Sequence, residues 1–181
     1  MKRLILSTLG SLVLLSLSVV PTFAATTQDV DVTAQPIYVA LTNSEGTWTI
    51  GNVAESATAW WAVGNVVPNP TTFEAADMMS TVENTGSVAE DVSIHSHNFT
   101  GGTVGWALGA AAGSDITQLS WGKTGGSTTT MTDFEDTTPV SFASNLAAAG
   151  TVKWCMRMNT PTVFSNGALK TSVVTLTAVA H

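Results

Sequence analysis

Residues 78–97, MMSTVENTGSVAEDVSIHSH, decide the fold. Val82 closes one alternating stretch, and Val92 and Ile94 alternate with Asp91, Ser93 and His95 in the next. Alternation at period two is the mark of a half-buried strand. Between the two stretches lies Asn84-Thr85-Gly86-Ser87, whose residue types favour tight turns because Gly, and more weakly Asn, accepts positive φ. The stretch is expected to be a β-hairpin, an element of framework.

The same period runs outward from it in both directions. Upstream, Ile37, Val39 and Leu41 alternate with Tyr38, Ala40 and Thr42, and Trp48 and Ile50 share one side of a further short strand. Before these come Asp29-Val30-Asp31-Val32, separated by Pro36, which cannot donate to a ladder and so marks an edge or a change of sheet. Downstream, Trp106 with Leu108, then Ile116, Leu119 and Trp121, a Thr-rich run to Met131, and Val140 with Phe142 each suggest a short strand. Val152, Trp154, Met156 and Met158 alternate with Lys153, Cys155 and Arg157, so the first set is expected to face the core. Residues 171–180 form a last strand, with Val174 and Leu176 inward. No segment carries a 3.6-residue apolar stripe of helical length. About nine or ten short strands between turns imply an all-β, antiparallel β-sandwich, of Ig-like or jelly-roll type.

Lys2 and Arg3, an apolar run from Leu4 to Val20, and Pro21-Thr22-Phe23-Ala24 have the form of a secretory signal peptide cut after Ala24. The organisation expected is a signal peptide over 1–24 and one sandwich domain over 25–181, secreted to the cell surface or beyond. Removing Lys2 and Arg3 takes the formal charge from −7 to −9 and leaves only Lys123, Lys153, Arg157 and Lys170 as basic residues. Such a surface repels phosphates, which excludes nucleic acid and anionic lipid as partners. No later segment is apolar enough to span a bilayer as a helix. Cys155 stands alone, so no disulfide forms within the chain; it either packs as a small apolar residue or pairs between chains.

Three groups of side chains could carry chemistry. His95 and His97 share the outward face of their strand with Asp91 and Ser93, and two imidazoles can hold a transition metal. Asp133, Glu135 and Asp136 offer hard oxygen donors for calcium, as do Asp29 and Asp31, although neither group has EF-hand spacing. Trp60, Trp61 and Trp121 fit least obviously into a core and could stack on sugar rings or anchor a subunit contact, whereas Trp48, Trp106 and Trp154 read as core. Asn98-Phe99-Thr100 fits a glycosylation acceptor. There is no GxSxG, no HExxH and no phosphate-binding glycine loop, and the chain is not expected to be an enzyme.

The run MSTVENTGSVAEDVSI resembles the hairpin of the secreted prokaryotic β-sandwich proteins of the camelysin and TasA type, with related archaeal pilus and tube subunits. PTVFSNGALKTSVVTLTA is similar to their closing hairpin. The resemblance implies a structural protein whose partners are copies of itself, assembling into a fibre, tube or surface layer by donating an N-terminal strand. The matching donor here is residues 25–33, ATTQDVDVT, with Asp29, Val30, Asp31 and Val32 in the contact. The alternative is a secreted monomeric module that binds carbohydrate or another surface.

Overall fold

The computed structural model describes residues 36–63, 71–127 and 129–181, and among them there are ten strands and no α-helix. They are β1 (Leu41–Asn43), β2 (Thr58–Trp61), β3 (Ser80–Asn84), β4 (Glu90–Ser96), β5 (Ala107–Leu108), β6 (Ile116–Lys123), β7 (Thr132–Asp133), β8 (Val140–Leu146), β9 (Thr151–Asn159) and β10 (Val174–Ala180). Two sheets result, a larger one ordered β1-β3-β9-β6-β5 with β2 and β7 attached, and a three-stranded one ordered β10-β4-β8. The fold is all-β, and apart from the short parallel pair β5–β6 its ladders are antiparallel. The segments expected to be a signal peptide (1–24) and a donor strand (25–33) lie outside the described residues.

The larger sheet is built on β9, the longest alternating run in the chain. Along one edge of β9, β3 pairs Ser80 through Glu83 with Trp154 through Thr151, and β2 pairs Thr58 through Trp61 with Asn159 through Met156. β2 and β3 therefore lie end to end along this edge, and the described residues between them, 62–63 and 71–79, form no named strand. On the other edge, β6 pairs with β9 from Gln118–Asn159 to Lys123–Trp154. β5 and β7 lie end to end along the far side of β6.

The opening stretch, 78–97, is not a hairpin. β3 pairs with β1 and β9, β4 with β10 and β8, and the five residues between them cross from one sheet to the other. Alternation could not tell these apart. Val82 in β3 and Val92 and Ile94 in β4 all point into the same core, from opposite sheets, and are 2% exposed or less. Neither Asn84 nor Gly86 has the positive φ expected of such a turn. Asn84 instead acts through its side chain. Its Oδ1 accepts from the Gly86 N–H (2.8 Å), and its Nδ2 donates to Val88 O and Leu146 O (2.8 Å each). Gly86 is needed for space, because a Cβ there would strike Glu90 Oε1 and the Tyr38 carbonyl.

β8 and β9 are joined by a second crossing, which packs on the first: the Asn84 N–H donates to Gly150 O (3.0 Å) and Ala149 N–H to Asn84 O (2.9 Å). β8 continues past Phe142 to Leu146.

Other expected strands are shorter than the alternation suggests. Only Leu41–Asn43 of the 37–42 run joins a ladder. Tyr38 and Ala40 bond the crossing instead: their N–H groups donate to Ser87 Oγ and Glu90 Oε1, and their carbonyls accept from Ser87 and Thr85 N–H. Trp48 and Ile50 pack on the core as their spacing implies, but from a segment without strand pairing, and the described residues of the Thr-rich run up to Met131 form no strand.

Between the sheets, rings form a continuous line. Trp48 stacks on Trp61 (6.5 Å between centroids), Trp61 meets Trp154 edge-on (5.1 Å), Trp154 meets Phe142 (5.7 Å), and Phe142 meets Trp121 (5.3 Å). Each such pair contributes about 0.5–1.5 kcal/mol beyond the area it buries. Trp154, Met156 and Met158 face this core, as their alternation requires, with Val152 packed against it.

The outer face of the larger sheet carries a second cluster of Trp60, Ala62, Phe73, Met78 and Cys155. The excursion between β2 and β3 supplies Phe73 and Met78, and Gly122 lets the Phe73 ring sit directly on the backbone of β6. Cys155 is fully buried in this cluster, and burial, with a smaller effect of the Asp77 carboxylate, pushes its thiol up to about 12. It packs as an apolar residue and has no surface from which to reach a second chain. A thiol reagent at neutral pH should leave native Cys155 unmodified and label it stoichiometrically in urea; rapid labelling of the folded protein would contradict this packing.

Candidate functional site

The groups singled out in the sequence are distributed over the sandwich. Trp60 and Trp61 point to opposite faces of β2, as neighbours in a strand must, yet both are buried because each face has its own cluster. Trp121 lies in the main core. Their exposures of 7%, 3% and 5% leave no free ring face on which a sugar could stack, which corrects the expectation of ligand stacking at these three. A second apolar face was the unforeseen element: Phe73 and Met78 lie in a segment without periodicity, so nothing in the local pattern announced it.

The acidic trio is also dispersed. Asp133 turns to β6 and accepts from Ser120 Oγ (2.6 Å) and Gln118 Nε2 (3.1 Å). Asp136 turns to the end of β4, where it accepts from the Asn98 N–H (3.0 Å) and Asn98 Nδ2 (2.9 Å). Glu135 between them is exposed. The three carboxylates do not converge on one point. Asp29 and Asp31 lie outside the described residues.

Asn98 is committed on both sides. Besides holding Asp136, its Oδ1 accepts from Leu108 N–H (2.7 Å).

The outer face of the three-stranded sheet keeps most of the pattern expected of β4. Val92, Ile94 and Ser96 are buried, while Asp91, Ser93, His95 and His97 point outward. The His95 and His97 rings stand 5.4 Å apart, edge to face, with planes at 83°. His97 Nδ1 lies 3.9 Å from Asp136 Oδ1. His95 Nδ1 is buried and has no hydrogen-bond partner among the described residues. Thr175, Thr177 and Val179 of β10 stand opposite His95, Ser93 and Asp91, and Ser141 of β8 flanks Ser93. The face thus consists mainly of hydroxyl-bearing and imidazole side chains, with the Asp91 carboxylate and the exposed Val179 at one end.

Asp91 does not join the His pair. Its Oδ1 accepts from the Asn145 N–H (2.9 Å), and both its oxygens lie 3.0 Å from His181 Nδ1. These contacts, the Asn145 N–H first and His181 next, hold the Asp91 carboxyl below its ordinary 3.8. They tie β8 and the end of β10 to β4. No spacing rule connects residues 90 positions apart, so only the fold could reveal the pair.

The sign of the pH effect follows from that lowering. A carboxyl that is more acidic in the folded state stabilises above its unfolded pKa, and the contribution is lost as pH falls through the folded value. Melting temperature should fall with acidification below about pH 4. Asp91→Asn should flatten part of that slope while leaving stability near pH 7 only slightly lower, since both partners are exposed. A variant with the acid slope of the parent would rule out this contribution.

Among the described residues, no three His, Cys, Asp or Glu side chains come together as a metal-holding group. No family model, curated protein or solved structure matches this chain.

Proposed function

We propose that the protein is a secreted structural subunit that assembles with copies of itself into an extracellular fibre, tube or surface layer, with residues 25–33 as the strand passed to the next copy. The observation that carries this reading is the narrowness of the second sheet. It has three strands, and beyond β10 and β8 no described strand continues it. Each edge is seven residues long, and a nine-residue segment can cover it. An uncovered strand edge is a template for another strand, whose alternate side chains then complete the face.

The two edges are not equal. β8 changes register against β4, and its Asn145 has φ +52°, so its edge is kinked. β10 pairs with β4 residue by residue over its whole length. A regular edge accepts a partner more readily than a bulged one, so β10 is the acceptor in this reading. The resemblance of the central and closing stretches to fibre-forming secreted sandwiches points the same way.

Negative-stain microscopy of the secreted chain, beside a chain lacking residues 25–33, tests it. Filaments or sheets are expected from the first and dispersed particles from the second. Equal assembly by both would eliminate strand donation by this segment.

A further inference from the structure

We propose that His95 and His97 are half of a zinc-class metal site that is completed by the same pair on a second copy, so that the outer face of the three-stranded sheet is a metal-bridged contact. This goes beyond strand donation and does not depend on it.

The geometry of the pair is the first support. A zinc–nitrogen bond of ~2.1 Å plus about 1.2 Å to the ring centre places two imidazoles on one tetrahedral ion ~5.3 Å apart, centre to centre. The observed separation is 5.4 Å, and the ring planes are nearly perpendicular. The rings already stand at the spacing that shared coordination needs, with His95 on the paired central strand β4 and His97 one residue beyond its end.

The second support is which nitrogens are left for a ligand. His95 Nδ1 is buried, and His97 Nδ1 faces the Asp136 carboxylate. Nε2 of each ring is then the atom available for a metal bond. A carboxylate beside the non-coordinating nitrogen is the usual outer partner of a metal-bound histidine: it sets the tautomer and raises the basicity of the ligand. Asp136 is held near His97 by its two bonds from Asn98, at 3.9 Å, ion-pair rather than hydrogen-bond range.

The third support is incompleteness. Two neutral imidazoles suit zinc, nickel or copper, and a closed tetrahedral site needs four ligands. No further His, Cys, Asp or Glu side chain among the described residues joins the pair. A second copy related by a two-fold axis brings two more histidines. The face allows the approach: Ser93, Ser141, Thr175 and Thr177 are small, and the Asp91 carboxylate already faces His181.

The test is zinc titration of the secreted chain, followed by sedimentation velocity and by metal analysis after gel filtration. A doubling of mass at one zinc per two chains is expected, together with its loss in the His95→Ala/His97→Ala variant. Both side chains point outward, and an unchanged circular dichroism spectrum would show that the variant folds. Absence of zinc binding at 100-micromolar zinc, one zinc per chain without a mass change, or zinc-driven dimers that persist in the double variant would each overturn the proposal. Filament formation in a chelator reports on strand donation alone, so failure of one idea is distinguishable from failure of the other.

Discussion

Phe142→Ala is expected to lower the stability of the sandwich by about 3–5 kcal/mol, the range for deleting a fully buried ring. Phe142 is 0% exposed and touches Trp121 and Trp154 in the line of rings between the sheets. It comes from the three-stranded sheet and both tryptophans come from the larger one, so its loss opens a void where the two layers meet. The neighbouring rings are large and rigid and cannot collapse into that space. Domains of this size are stable by about 5–15 kcal/mol, so the variant retains little margin. Urea unfolding followed by tryptophan fluorescence should show a midpoint shift with an unchanged slope. Ser141→Ala, one position away and exposed, is the control. Equal midpoints for the two variants would mean that Phe142 is not at the layer junction.

Asn84→Ala should cost about 2–4 kcal/mol, because buried groups that lose a partner each cost about 1–3 kcal/mol. The lost partners are Leu146 O, Val88 O and Gly86 N–H, and Asn84 itself is fully buried. Asn84→Asp is the sharper experiment. It keeps the shape and the acceptor for Gly86, but turns two donated hydrogen bonds into a carboxylate set against two carbonyl oxygens. The aspartate variant should therefore be less stable than the alanine variant, the reverse of the order expected from size alone. Urea midpoints at neutral pH check the ranking. If Asn84→Asp matched the parent, the amide would not be the clamp between the two sheet crossings.

These two sites mark the limit of what spacing conveys. Phe142 was legible: it shares parity with Val140 across Ser141, and a period-two pattern names the inward side chain whatever strand lies beside it. The inward positions of β9 and β4 were legible for the same reason, and so was the outward placement of His95 and His97. Asn84 was legible only as a turn residue. Its role depends on Leu146, Ala149 and Gly150, which are distant in sequence and arrive through a second crossing. The buried state of Trp60 was hidden in a similar way. Its strand alternates correctly, but the outer face is covered by an excursion whose residues have no period. The Asp91–His181 pair and the turning of Asp136 toward His97 likewise required the chain to be folded.

The sequence by itself determined that the chain is all-β, about where its strands lie, and which side of each is apolar, because alternation is a property of one strand and needs no partner. Only the tertiary structure decided which strands share a sheet. Residues 78–97 contain the same inward valines and isoleucine whether the chain folds back on itself or crosses a core, and the choice is made by distant partners. β9 captures β3, and β10 and β8 capture β4, while the Asn84 amide bridges the gap between the sheets.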